Sequence, residues 1–215
     1  MRHELLIFDF DGTIADTREM IVRTFRMTMA ELGMRMASPE ECAATIGLPL
    51  EEGFMALFPE IGREGGERCA ATYRRIFEEN KKELSPALFP GVRETLRKLK
   101  GRGHTLTIAS SRHREGTSSF LSGYGLLDLF SLVLGAGDVR KAKPDPEPVL
   151  KTLDLLGFQT SDALVIGDMP FDILMGKRAG ADTCGVTYGN ATKEDLRAAG
   201  AVFVIDSFKD LLGIA

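Results

Sequence analysis

LLIFDFDGTIADT, residues Leu5 to Thr17, decides how the chain is read. An apolar run ends in two carboxylates, Asp9 and Asp11, followed by Gly12-Thr13, an apolar pair and Asp16. Leu5 to Phe8 does not alternate with polar residues, so it reads as a parallel strand buried on both faces. Asp9 follows that strand directly. Open α/β sheets bind ligands beyond the carboxyl ends of their strands, which is where Asp9 and Asp11 fall. Gly12 lets the chain turn sharply there. An acidic turn without chemistry is the alternative for this stretch alone, because Asp and Gly are ordinary turn residues.

Downstream, Ile21, Val22, Phe25, Met29 and Leu32 recur at helical spacing until Gly33. Ser38, Pro39 and Glu41 form a capping-box start. Leu50 to Leu57 and Glu64 to Leu84 read as two more helices. Asp16 to about Ser85 is therefore expected to be helical without strand pattern. That is too long for a simple crossover and reads as an insertion. From Pro90-Gly91 onward, helices alternate with strands. The predicted strands are Thr105 to Ala109, Leu132 to Leu134, Ala163 to Ile166, Thr183 to Val186 and Val202 to Ile205. Helices are predicted from Val92 to Leu99, from about His113, from Glu147 to Leu156 and from Pro170 to near Gly180, and Phe208 to Leu212 closes the chain. This alternation predicts an α/β fold with a parallel sheet covered on both faces.

Composition narrows the class. The chain has 215 residues, 44% apolar and 27% charged, with net charge -4, as in an ordinary globular protein with one sizeable core. No Lys/Arg block marks a nucleic-acid footprint, and Arg112-His113-Arg114 reads as a solvated helix start. The three cysteines, Cys42, Cys69 and Cys184, show neither zinc spacing nor CxxC and suit a reducing compartment. With no basic, apolar leader and no membrane-length apolar run, a cytoplasmic protein is expected, acting without nucleic acid or membrane as a monomer or weak homodimer.

Other candidate residues follow. Ser110 ends the second predicted strand, where a hydroxyl can meet an anion or simply form a turn. KAKPDPEP, Lys141 to Pro148, offers Lys143, with Lys141 as its rival, to offset carboxylate charge. Asp145 and Pro146 read as a helix start. GDMPFD, Gly167 to Phe171 and Asp172, puts Asp168 at a strand end and Asp172 in the first turn of the next helix. Both can point toward Asp9. Such an oxygen-rich set suits Mg2+, whereas zinc would want His or Cys. His3 and His104 read as turn or edge residues, and the methionines from Met27 to Met36 as packing.

These four stretches, in this order, resemble motifs I to IV of the haloacid dehalogenase-like (HAD) hydrolase superfamily. The resemblance covers essentially the whole chain. It implies a HAD-like Rossmannoid core, residues 1–15 and 86–215, with an all-helical C1 cap at 16–85. It implies catalytic roles for Asp9 (nucleophile forming an aspartyl-phosphate), Asp11 (general acid and base), Ser110 and Lys143. Mg2+ would be held by Asp9, Asp11 through its carbonyl, Asp168 and Asp172. The second aspartate points to phosphate esters or anhydrides. IGLPL, Ile46 to Leu50, and the run from Tyr73 into FPGVRETLRKL resemble the phosphoglycolate phosphatase-like branch. The related β-phosphoglucomutase branch carries a cap His and a cap Arg where this chain has Ile21 and Leu50. A phosphatase for a small, phosphoglycolate-like metabolite is thus implied, with a hexose-phosphate mutase, a pyrophosphatase or an idle binding protein as alternatives. Arg23, Arg26, Arg74 and Arg75 are the cap cations available to a carboxylated substrate.

Overall fold

The computed structural model describes residues 3–80 and 86–215. Strand β1 (Leu5–Phe8) is buried on both faces. A two-residue strand, β2 (Ala15–Asp16), then leads into four helices: α1 (Arg18–Glu31), α2 (Pro39–Ala43), α3 (Leu50–Leu57) and α4 (Gly62–Asn80). The sequence-predicted end of the last helix, at Leu84, and the insert boundary at Ser85 lie outside the described residues. Strand β3 (Ala87–Leu88) returns beside β2 in an antiparallel pair, Ala15 opposite Leu88 and Asp16 opposite Ala87. This corrects the expectation of no strand from Asp16 onward. The pair brings the exit and re-entry of the insert together, so the helices form a cap on one point of the core.

The remaining elements alternate: α5 (Val92–Gly101), β4 (Thr105–His113), α6 (Arg114–Gly123), β5 (Phe130–Ala136), α7 (Glu147–Leu156), β6 (Ala163–Gly167), α8 (Pro170–Ala179), β7 (Asp182–Val186), α9 (Lys193–Ala199) and β8 (Phe203–Ile205), with a 3-10 turn over Phe208–Gly213. Among the described residues they build a six-stranded parallel sheet in the order β5-β4-β1-β6-β7-β8. Successive side chains of a strand point to opposite faces. Leu6 and Phe8 accordingly join Leu96, Leu106, Ile108 and Phe208 on one side. Leu5 and Ile7 join Val149, Leu153, Val165 and Met175 on the other. Both faces are covered by helices, which is why β1 reads as an uninterrupted apolar run.

The cap has its own core of Met20, Ile21, Phe25, Met29, Phe54, Tyr73 and Phe77. Phe25 lies 4.5 Å from Phe54 and 5.2 Å from Tyr73, ring centre to ring centre. Phe120 of α6 packs against both the sheet core and the cap core. The predicted capping box at Ser38 is present: Ser38 Oγ accepts from the Glu41 N–H at 3.1 Å and Glu41 Oε2 accepts from the Ser38 N–H at 2.6 Å. Of the methionines, Met29 is fully buried in the cap core, whereas Met36 is exposed. No helix among the described residues is long and apolar enough to cross a membrane.

Three local readings are corrected or refined. Helix α9 was not anticipated, although Thr192 and Asp195 carry a capping-box pattern that could have announced it. His3 and His104 stand just before β1 and β4, as expected of residues flanking strands, yet both are buried: His3 Nε2 lies 2.9 Å from Asp182 Oδ2, and His104 Nδ1 lies 2.8 Å from the His3 carbonyl. Strand β4 runs past Ser110 and Ser111 to His113, and α6 starts one residue later than expected. Its pairing with β5 shifts register between Ala109 and His113. A break of this kind bends the strand and re-aims side chains, here those of Ser110, Ser111 and Arg112.

Gly135 makes that close pairing possible. A Cβ there would lie 2.3 Å from the Arg114 nitrogen and 2.5 Å from the Arg112 carbonyl oxygen. Backbone atoms cannot swing aside as a side-chain tip can. Gly135→Ala is expected to destabilise the protein by about 1–3 kcal/mol. Gly101→Ala, at an exposed position with no atom within 4 Å of the added Cβ, is expected to be neutral or to gain up to about 1 kcal/mol. Urea denaturation of both variants checks the contrast, and equal midpoints would contradict it.

Candidate active site

Three neighbouring strands deliver the polar residues to one edge. In register, Phe8 of β1 lies beside Ile108 of β4 and Ile166 of β6. Asp9, Ser110 and Asp168 each follow within two residues of those positions. Strand order reverses around β1, since β4 and β6 flank it, so the crevice expected of an open α/β sheet opens at Asp9. Asp172 comes from the first turn of α8. Lys143 comes from the loop between β5 and α7.

Lys143 ties these elements together. Its Nζ donates to Asp9 Oδ1 and to Asp172 Oδ1, each at 2.6 Å. All three residues are buried, and Asp168 beside them is 0% exposed. Lys141, the rival, is 73% exposed and lies 3.8 Å from Asp145. Asp145 Oδ1 accepts from the Glu147 N–H at 3.0 Å, as expected of a helix start. Asp172 Oδ2 accepts from the Met169 N–H at 3.1 Å. Asp168 Oδ2 accepts from both the backbone N–H and the side-chain amide of Asn190, each at 2.8 Å. Asp168 Oδ1 is buried without a hydrogen-bond partner among the described residues. Gly12, at φ +84°, leaves room for this carboxylate: a Cβ there would lie 2.2 Å from Asp168 Oδ2.

Burial pushes the Asp9 carboxyl well above its ordinary range; Lys143 opposes this, and Asp172, Asp168 and Asp11 add to it. Burial also raises Asp168, from 3.8 to about 7, with Asp172 adding to the rise and the Asn190 hydrogen bonds and Lys143 opposing it. Burial alone would lower Lys143, but the Asp172 and Asp9 carboxylates more than offset it and hold the ammonium charged. Fully ionised, three carboxylates and one ammonium leave two negative charges, the complement of one divalent cation. Oxygen atoms of Asp9, Asp168 and Asp172 lie within 4.8 Å of one another. The unpartnered Asp168 oxygen and the all-oxygen donor set fit a hard cation such as Mg2+.

Asp11 is engaged by a residue that sequence reasoning placed in solvent. Arg112 grips its carboxylate with both arms, Nη2 to Oδ1 at 2.8 Å and Nε to Oδ2 at 3.3 Å. The guanidinium carbon lies 5.4 Å from the ring centres of both Phe77 in the cap and Phe120 in the core. Arg112 and Asp11 side chains are each only 13% exposed. Arg112 is thus not part of a solvated helix start, whereas the neighbouring His113 and Arg114 are exposed. Ser110 Oγ accepts from the Arg112 N–H at 3.1 Å, and Ser111 Oγ donates to the Gly47 carbonyl of the cap at 2.6 Å. Asn190 was also missed; its loop carries no chemical signature.

In the metal-free protein Asp168 holds a proton that the unfolded chain has lost between about pH 4 and 7. Because its folded pKa is raised, its contribution to stability is present below pH 3.8 and lost as pH rises through about 7. The melting temperature in chelator is expected to fall across that window. Asp168→Asn is expected to flatten the fall and to raise the melting temperature of the metal-free protein at about pH 8. A wild-type profile identical to that of Asp168→Asn would contradict the assignment.

Over residues 6–186 the sequence matches the family described as haloacid dehalogenase-like hydrolase. It is 38% identical to the probable phosphatase IndB of Dickeya dadantii over 98% of this chain and 93% of that protein. It is 32% identical to the pyrophosphatase PpaX of Halalkalibacterium halodurans over 100% of this chain and 97% of that one. The crystal structure of a candidate haloacid dehalogenase-like hydrolase from Bacteroides fragilis superposes with a TM-score of 0.92 at 31% identity, covering 97% of this chain and 99% of that one. The matched span contains Asp9, Asp11, Ser110, Lys143, Asp168 and Asp172, and the chain is an enzyme of the haloacid dehalogenase-like hydrolase family.

Proposed function

We propose that the protein is a Mg2+-dependent phosphatase that hydrolyses a small phosphomonoester through a phosphoenzyme on Asp9. The core, residues 1–15 and 86–215, supplies the chemistry, and the cap, residues 16–85, covers it. The observation that carries this reading is the buried group of Asp9, Lys143, Asp168 and Asp172 at the sheet edge, with a partnerless carboxylate oxygen on Asp168.

Lys143 occupies one oxygen of Asp9 and leaves the other for attack on phosphorus. As that oxygen–phosphorus bond forms, the ester oxygen departs and takes a proton from Asp11. Water then attacks the phosphorus of the Asp9 adduct, Asp11 accepts its proton, and the Asp9 carboxylate is released. Mg2+ would be held by Asp9, the Asp11 carbonyl, Asp168 and Asp172, and would supply neutralisation of phosphoryl charge. Lys143 adds a fixed ammonium beside the attacking carboxylate. Ser110 contributes a hydroxyl to the phosphoryl oxygens. Asp11 has both oxygens on Arg112, so its acid role requires the guanidinium to release at least one of them. A phosphoryl dianion competes for the same planar donor set.

Transfer to a sugar hydroxyl, as in a hexose-phosphate mutase, is disfavoured by the cap wall. Ile21 and Leu50 both line the cleft that reaches Asp11, and neither can hydrogen-bond a sugar. Pyrophosphate and phosphoglycolate would use the same core groups, so the leaving group decides between them.

Chelation is expected to abolish hydrolysis of a generic aryl phosphate, and added Mg2+ to restore it; full activity in chelator would remove the metal role. Asp9→Asn is expected to lower kcat at least about a thousandfold and to prevent trapping of a phosphoenzyme or a beryllium fluoride adduct. Asp11→Asn is expected to lower kcat by about 10²–10⁴ while still forming the adduct on Asp9. An adduct on any other residue would end the nucleophile assignment.

A further inference from the structure

The cleft between cap and core has a volume of about 360 Å3. A two-carbon acid such as glycolate would leave most of it empty. Its walls are apolar and partly aromatic: Ile21, Phe25, Ile46, Leu50, Tyr73 and Phe77. Burial pushes the Tyr73 hydroxyl up to about 12, so this ring brings no charge.

The charged groups on the same walls are predominantly acidic. Asp11, Glu51, Glu78 and Glu115 line the cleft, against Arg74, Arg112 and His113. Each guanidinium already faces one carboxylate. Arg74 Nη2 lies 2.6 Å from Glu51 Oε1, with its Nε buried and without a hydrogen-bond partner among the described residues, and Arg112 holds Asp11. The other cap arginines are elsewhere. Arg23 and Arg26 line a groove with Met27 and Ala30 on another face of α1, and Arg75 pairs with Glu31 and Glu79 at the surface. A carboxylate or a second phosphate entering this cleft would lose hydration and would have to compete with Glu51 and Asp11 for guanidiniums that already face them. An uncharged ring would instead exchange water for contact with Phe25, Tyr73 and Phe77, where aromatic groups add to area burial.

We infer that the substrate's leaving group is an uncharged, ring-bearing alcohol, and that the cleft selects against esters and anhydrides whose leaving group is itself an anion. This rests on the phosphatase reading and narrows it. It departs from the phosphoglycolate-like substrate that the sequence resemblance implies, and from pyrophosphate. The glutamate that pairs with Arg74 is the specificity element: Glu51 directly follows Leu50 of the apolar wall and occupies Nη2 of a cap guanidinium that lines the cleft.

The test compares kcat/KM with Mg2+ for benzyl phosphate, glycerol 3-phosphate, phosphoglycolate and pyrophosphate. Benzyl phosphate has an alcohol leaving group, so a faster rate does not simply reflect an acidic phenol. It is expected to lead each of the other three by more than about tenfold. Calorimetry with two unreactive probes gives a readout independent of turnover: benzylphosphonate is expected to bind at least tenfold more tightly than phosphonoacetate. Glu51→Gln is expected to narrow the benzyl phosphate to phosphoglycolate ratio at least fivefold by releasing Arg74. Phosphoglycolate or pyrophosphate leading the panel, equal binding of the two phosphonates, or an unchanged ratio in Glu51→Gln would each overturn the inference while leaving the phosphatase reading intact. If no ester were hydrolysed, the phosphatase reading would fail, and the phosphonate pair would still decide what the cleft prefers.

Discussion

The ammonium of Lys143, held 2.6 Å from Asp9 and 2.6 Å from Asp172, is the contact on which the site depends. Three carboxylates are buried side by side at the end of an apolar sheet. Unpaired, each would carry a desolvation cost of several kcal/mol or would take up a proton. Lys143 lowers that cost for two of them and keeps its own charge in return. Breaking such a buried pair by removing one partner typically costs about 3–5 kcal/mol. The lysine therefore also fixes geometry: the loop before α7, the end of β1 and the first turn of α8 are held to one point. It makes no direct contact with Asp168, which keeps a buried oxygen without a hydrogen-bond partner among the described residues. The protein thus stores an electrostatic deficit at the place where a cation and a phosphoryl group would relieve it.

The fold makes this arrangement without strain in the strands. Parallel pairing sets β4, β1 and β6 to the same level. Residues that follow those strands emerge together, although Asp9, Ser110 and Asp168 are far apart in the chain. Two glycines permit the close approaches this requires. Gly12 admits the Asp168 carboxylate against its own backbone, and Gly135 admits the irregular end of β4. The apolar strands carry stability on two separate faces, so the polar edge need contribute little to it.

What was legible in the sequence was local. Leu5 to Phe8 announced its own strand because four apolar residues in a row suit a strand covered on both faces. Ser38 and Glu41 announced a helix start three residues apart. Asp9, Asp168 and Asp172 stood out because each sits at a strand end or in the first turn of a helix, where capping and turn chemistry are recognisable, and Lys143 because it precedes Pro144 in a basic, proline-rich loop. What was not legible depends on partners distant in sequence. Arg112 read as solvated because its neighbours His113 and Arg114 are, whereas its partner Asp11 lies 101 residues away. The pairing of Arg74 with Glu51 spans 23 residues and two helices, so the number of cap arginines said nothing about how many remain available to a ligand. Strands β2 and β3 are two residues each, too short for any periodicity to show.

Arg112 is where the two kinds of information meet. It belongs to the core strand that carries Ser110, yet its guanidinium lies against Phe77 of the cap and Phe120 of the core while holding Asp11. Stacking on rings and a two-armed carboxylate contact both demand a planar cation in one orientation, which a lysine would not reproduce. The group that would carry the proton to the leaving oxygen is therefore restrained by a residue whose own position depends on how the cap is seated. Ser111, hydrogen-bonded to Gly47 of the cap, joins the adjacent residue to the same unit. In the proposed mechanism, cap seating and proton transfer would be coupled through two consecutive residues at the end of one strand. A ligand that altered the contacts of Phe77 would also alter the surroundings of Asp11, so under the proposed mechanism the wall that faces the leaving group and the acid that protonates it would act on the same departing group.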